Sequence, residues 1–179
     1  MNLYPTLLCV LGRLQGVAIA ESPLPTELRI QAPGPPPTAE TPRLPGLTIY
    51  QRACMSCHQA DGRGQPGLFP PLRDADWIKA SDPARLIRIT LHGMVGPVSI
   101  NGIPFKSSAP FMPGHAATLS DPEIATVLTW IRKEMGGLDA PVTAAAVTSI
   151  RQAEAGRTAL WTQAQLLAIP LTVPPATPP

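Results

Sequence analysis

Aromatic residues are scarce, 4% of 179, so a core of interlocking rings is excluded and the interior must be filled by aliphatic side chains or by something that is not a side chain. Charge is sparse too: 14 basic against 12 acidic residues leave a formal net charge of +2. With no basic run of about five residues, nucleic acid is not implied as a partner. No apolar run approaches about 18 residues, so no transmembrane segment is expected. Cysteine is limited to Cys9, Cys54 and Cys57. What is plentiful is proline, 24 residues beside 14 glycines, which predicts one domain with loose ends.

Residues 1–20, MNLYPTLLCVLGRLQGVAIA, hold an apolar stretch over 7–11 and end in Ala18-Ile19-Ala20 before Glu21. That resembles a secretory signal peptide, although no Lys or Arg precedes the apolar stretch and Arg13 interrupts it. Cys9 would leave with it. Residues 21–45 are proline-rich and aperiodic, a linker of polyproline character. Residues 169–179, ending in PPATPP, read as a disordered tail.

Between these ends the sequence predicts helices. Helical character runs from 47 to about 57, and Gly62, Gly64, Pro66, Gly67, Pro70 and Pro71 then make a loop. Asp82-Pro83 opens a second helix whose apolar face is Leu86, Ile87, Thr90 and Leu91, and Gly93 stops it. Asn101-Gly102 between short apolar runs signals a tight turn or small hairpin. Ser120 with Glu123 forms a capping box before Ile124, Val127, Leu128 and Ile131, with Arg132 and Lys133 near the helix end and Gly136-Gly137 after it. Val142, Ala146 and Ile150 stand four apart and predict a further short helix in a C-terminal extension, residues 138–168.

The chemistry is concentrated in residues 54–58, CMSCH. A structural zinc site needs a second ligand pair, and no other C-x-x-C or H-x-x-x-H occurs. A redox dithiol belongs after a strand in a βαβ pattern, which is missing, and gives the histidine no purpose. Covalent haem c explains all three residues: Cys54 and Cys57 form thioethers with one porphyrin, and His58 directly after them lies under the iron as an axial ligand. This attachment also demands an exported, oxidising location. Candidates for the opposite axial position are Met94, Met112, Met135, His92 and His115. Met135 belongs to the capped helix and reads as packing, whereas Met112-Pro113 lies in an irregular stretch of the kind that can cross a haem face.

Gly46, Tyr50, Cys54, Cys57, His58, Asp61-Gly62, LFPPL, Met112-Pro113 and LSDPEIATVLTWIR follow one another in an order that resembles a class I c-type cytochrome, over residues 46–137. The similarity is strongest to the monohaem domains that accompany periplasmic dehydrogenases. The resemblance implies an all-α fold, a small helical domain around one covalently bound haem c per chain. It implies Cys54 and Cys57 as covalent anchors, His58 and Met112 as the axial iron ligands, and a crossing of first and last helices where Gly46 and Tyr50 meet Trp130. It further implies a periplasmic carrier of single electrons rather than an enzyme. The implied partners are a periplasmic dehydrogenase and a downstream oxidase or cytochrome. His115 stands where the family more usually has an apolar residue, so it competes with Met112; a ligand sensor or peroxidase-like enzyme with an open axial position is the alternative. Arg73, Arg85 and Arg88 read either as partners of haem propionates or as exposed helix-face charges.

Overall fold

The structure, a computed structural model, describes residues 45–109 and 111–170. The expected leader, most of the linker and most of the tail lie outside the described residues. The helices are α1 (Pro45–Ala53), α2 (Met55–His58), α3 (Asp76–Lys79), α4 (Ala84–His92), α5 (Asp121–Gly136), α6 (Ala144–Ala153) and α7 (Gln163–Ala168). Four three-residue strands lie between α4 and α5: β1 (Gly93–Val95), β2 (Val98–Ile100), β3 (Ile103–Phe105) and β4 (Phe111–Pro113). No helix among the described residues is long and apolar enough to cross a membrane.

The all-α expectation therefore needs correction: the domain is helical with two small antiparallel ribbons, β2–β3 and β1–β4. The first follows from Asn101 and Gly102, both at left-handed φ (54° and 77°), the geometry of a tight hairpin turn. The second forms because Gly93 (φ 78°) ends α4 and redirects the chain to pair with residues 111–113, with Met94 opposite Met112. A side chain at Gly93 would strike the Met112 carbonyl, so glycine permits the pairing as well as the helix stop.

Helix α1 crosses α5 where expected. A Cβ on Gly46 would collide with the Trp130 Cβ, and the Tyr50 ring packs 5.0 Å from the Trp130 ring at 39°. The crossing is pinned at its rim by Glu123, whose Oε2 accepts from the Ser120 N–H (2.9 Å) and Oγ (2.8 Å) while Oε1 accepts from Arg52 (2.7 Å). The Ser120 backbone bond, aided by Arg52, holds the Glu123 carboxyl down at about 2. Gly46→Ala is expected to destabilise the protein by about 2 kcal/mol through overpacking, read as a lower urea midpoint at unchanged slope. An unchanged midpoint would show that α1 slides without loss.

Helix α6 packs against α4 and α5. Arg151 fastens it, pairing with Asp121 (2.7 Å) and donating to the carbonyls of Ala116 (2.7 Å) and Leu119 (3.0 Å). The helix expected around Val142, Ala146 and Ile150 is thus part of the fold, with Val142 and Val147 buried in the main core.

Candidate functional site

The helical run expected over 47–57 is broken at Cys54, and the break shapes the site. The N–H groups of Cys57 (3.2 Å) and His58 (3.0 Å) both donate to the Cys54 carbonyl, so CMSCH winds through a single turn. Residues three and four apart on such a turn share a face, which brings Cys54, Cys57 and His58 to one side. All three line the same cleft. Tyr50 supports this turn from below: it is fully buried, and its hydroxyl donates to the carbonyl of Gln59, a residue held at φ 64° as the chain leaves the motif.

His58 is buried, and its Nδ1 lies 2.9 Å from the Pro70 carbonyl oxygen. A carbonyl only accepts, so Nδ1 carries the proton and Nε2 keeps its lone pair, the arrangement a metal-ligating imidazole requires. Burial depresses the imidazole pKa; the Pro70 bond opposes this and the charge of nearby His115 adds to it. The contact to Pro70 depends on Gly64 (φ 67°), where a Cβ would run into the carbonyls of Phe69 and Pro70 as the loop folds back. The LFPPL segment also walls the cleft, through Leu68, Phe69 and Leu72.

The far walls of the cleft are aliphatic: Ile78 of α3, Ile89 of α4, and Val127, Leu128 and Ile131 of α5. A cleft this apolar, with two cysteines and one lone-pair nitrogen on one side, fits a flat macrocycle held by thioethers. It does not fit a bare ion: no group of three His, Cys, Asp or Glu suited to a metal occurs among the described residues. Nor does it suit a reactive dithiol, for which a depressed thiol pKa is needed. Burial, with Cys57 alongside, pushes the Cys54 thiol up to about 11 instead.

Of the five candidates for the opposite axial position, Met94, Met112 and His115 line the cleft. Met135 is buried against Gly62, a packing role as expected, and His92 does not line the cleft. The His115 ring is half-buried, and burial lowers its pKa. Sequence reasoning named Met94 and Met112 but missed that they are cross-strand partners, because three-residue strands carry no readable period. The arginines follow neither expectation fully. Arg73 donates to the carbonyls of Asp61 (2.6 Å) and Glu134 (3.3 Å), Arg88 pairs with Glu154 (2.9 Å), and Arg85 reaches the carbonyls of Leu167 and Ile169. None of the three lines the cleft. Trp77 lines it and packs against the Ile89 and Trp161 cluster, with its Nε1–H donated to the Ser99 carbonyl at 2.9 Å.

A family model described as Cytochrome c matches residues 44–134. Over 116 residues the chain is 39% identical to the alcohol dehydrogenase (quinone), cytochrome c subunit, of Gluconacetobacter polyoxogenes, covering 64% of this chain and 24% of that protein. Over 94 residues it is 36% identical to cytochrome c-552 of Thermus thermophilus, covering 51% of this chain and 68% of the relative. Over 114 residues it is 35% identical to the gluconate 2-dehydrogenase cytochrome c subunit of Pantoea cypripedii, covering 61% of this chain and 24% of that subunit. The chain therefore spans about a quarter of the length of the dehydrogenase subunits it resembles.

Proposed function

From the premise that the chain belongs to the cytochrome c family, we propose that it carries single electrons between periplasmic redox partners, as a free carrier or as a subunit of a dehydrogenase. The cofactor of the family is covalently bound haem c, which supplies one-electron ferric and ferrous chemistry when bound. In this reading Cys54 and Cys57 would anchor it, and His58, through Nε2, and Met112 would be the residues that ligate its iron. Residues 46–137 are the haem-binding domain and 138–168 an extension packed on it. A dehydrogenase as donor is supported by the relatives described as dehydrogenase cytochrome subunits; an oxidase or second cytochrome as acceptor is our extension of that reading.

The observation that carries the proposal is that Cys54, Cys57 and His58 line one apolar cleft with Met112, distant in sequence. The protein's own contribution to electron transfer is then rigidity and dryness. The Pro70 carbonyl fixes the imidazole plane, and the LFPPL wall and α5 exclude water, both of which keep the redox change from being slowed by reorganisation. Phe111, 51% exposed at the cleft mouth, offers an apolar contact where a partner could approach.

The test is maturation of the chain in a host that attaches haem c, followed by mass measurement and voltammetry. One haem per chain and a reversible one-electron wave are expected, with attachment impaired in Cys54→Ser and Cys57→Ser. A chain that holds no covalent haem, or one that turns over peroxide instead of cycling reversibly, would overturn the reading.

A further inference from the structure

Strand β1 has two hydrogen-bonding edges, and β4 occupies only one of them. On the other edge the Trp161 N–H donates to the Gly93 carbonyl at 3.0 Å, and the Val95 N–H donates to the Trp161 carbonyl at 2.8 Å. Trp161 thus forms a one-residue parallel bridge to Met94, directly behind the pair Met94 and Met112. Its side chain is 7% exposed and clusters with Ile89 and Leu166, and both methionines pack against that cluster. The Arg157 guanidinium lies 3.4 Å over the indole centroid.

The segment is also tied down beyond Trp161. Gln163 Oε1 accepts from the Ser99 N–H at 2.6 Å, and Arg85 of α4 donates to the carbonyls of Leu167 (3.2 Å) and Ile169 (3.1 Å). A two-stranded ribbon is marginal by itself, and here each strand has three residues. What keeps β4 in place must therefore come from outside the ribbon.

We propose that the C-terminal segment around Trp161 is a positioning element for the sixth ligand: it holds β1 from behind, and through β1 it holds Met112 in the cleft. This rests on the reading of Met112 as that ligand. Trp161 acts through the ribbon, so its loss changes how often the Met112 thioether leaves the iron rather than whether haem is attached. When the ligand is retained only part of the time, an external ligand is captured in proportion to the open fraction.

The experiment uses the full mature protein as parent, Met112→Ala, Trp161→Ala and Trp161→Phe. It reads the near-infrared thioether band of the ferric form and the rate of carbon monoxide capture by the ferrous form. Trp161→Ala is expected to keep its covalent haem and helical circular dichroism yet capture carbon monoxide about tenfold faster, a shift of about 1.4 kcal/mol in the ligand equilibrium. Trp161→Phe keeps a ring in the cluster but gives up the larger indole face under Arg157 and an N–H that lacks a partner among the described residues, so it is expected to capture carbon monoxide at a rate between those of the parent and Trp161→Ala. A Trp161→Ala protein that melts earlier but captures carbon monoxide at the parental rate would overturn the proposal and leave Met112 standing. A parent without the band, or one whose band survives Met112→Ala, would instead remove the ligand assignment and this proposal with it. Should Trp161→Ala fail to mature, Gln163→Ala and Arg157→Ala decide the question: faster capture supports it, parental rates overturn it.

Discussion

Met112→Ala is expected to abolish the near-infrared charge-transfer band of the ferric protein and to let the ferrous protein bind carbon monoxide at once. The reasoning begins with the backbone. Pro113 follows Met112 directly, and β4 runs in register with β1, so Met112 is held at the cleft on a short extended segment. An alanine there removes the thioether without altering the ladder, and the iron face opposite His58 opens. A His and Met axial pair raises the reduction potential, so the variant is also expected to be harder to reduce than the parent. The two neighbours that line the same cleft are the decisive controls. Met94→Ala and His115→Ala are each expected to retain the band. If Met94→Ala loses it while Met112→Ala keeps it, the cross-strand partner is the ligand and the assignment is wrong by one strand. If the parent shows no band and His115→Ala changes its spectrum, histidine ligation replaces the carrier reading with a low-potential or sensing one.

The sequence made some of this legible because the responsible residues act locally. Ser120 and Glu123 announce the start of α5, Asn101-Gly102 announces the β2–β3 turn, and CMSCH announces its own chemistry within five residues. The Pro70 carbonyl that orients His58 was also foreseeable, since LFPPL is a stiff apolar segment just downstream of the motif. What escaped is long-range. The β1–β4 ribbon depends on Gly93 tolerating the Met112 backbone and on Trp161 arriving from the far end of the chain, and neither leaves a period in the sequence. Arg85 and Arg88 looked like exposed helix-face charges or propionate partners, yet they hold the extension, a role visible only once Glu154 and the carbonyls of Leu167 and Ile169 are in place. Helix α3 was missed because four residues are too few to show an apolar face.

Arg132 shows the same limit, and it carries the second large effect: Arg132→Met is expected to destabilise the protein by about 3 kcal/mol. By sequence it is a cation near a helix C-terminus, placed to complement the dipole. In the fold it is 1% exposed, and its guanidinium bridges two connections, donating to the carbonyls of Ala80 (2.8 Å) and Ser81 (3.2 Å) before α4 and of Ala140 (3.1 Å) after α5. Burial lowers its pKa, opposed by the nearby Asp82 carboxylate, itself only 4% exposed. Methionine keeps the stem and its packing but removes every donor and the charge beside Asp82, so the loss is electrostatic rather than a cavity. Arg132→Lys restores the charge without the planar fork and should recover only part of the stability. Urea unfolding of the haem-loaded proteins reads the difference, and a methionine variant within about 0.5 kcal/mol of the parent would show that the bridge contributes nothing net. Because Arg132 does not line the cleft and its guanidinium donates to connections outside it, the near-infrared band of the folded variant is expected to be unchanged, which separates a clamp on the α3–α4 connection from a part in holding the ligand.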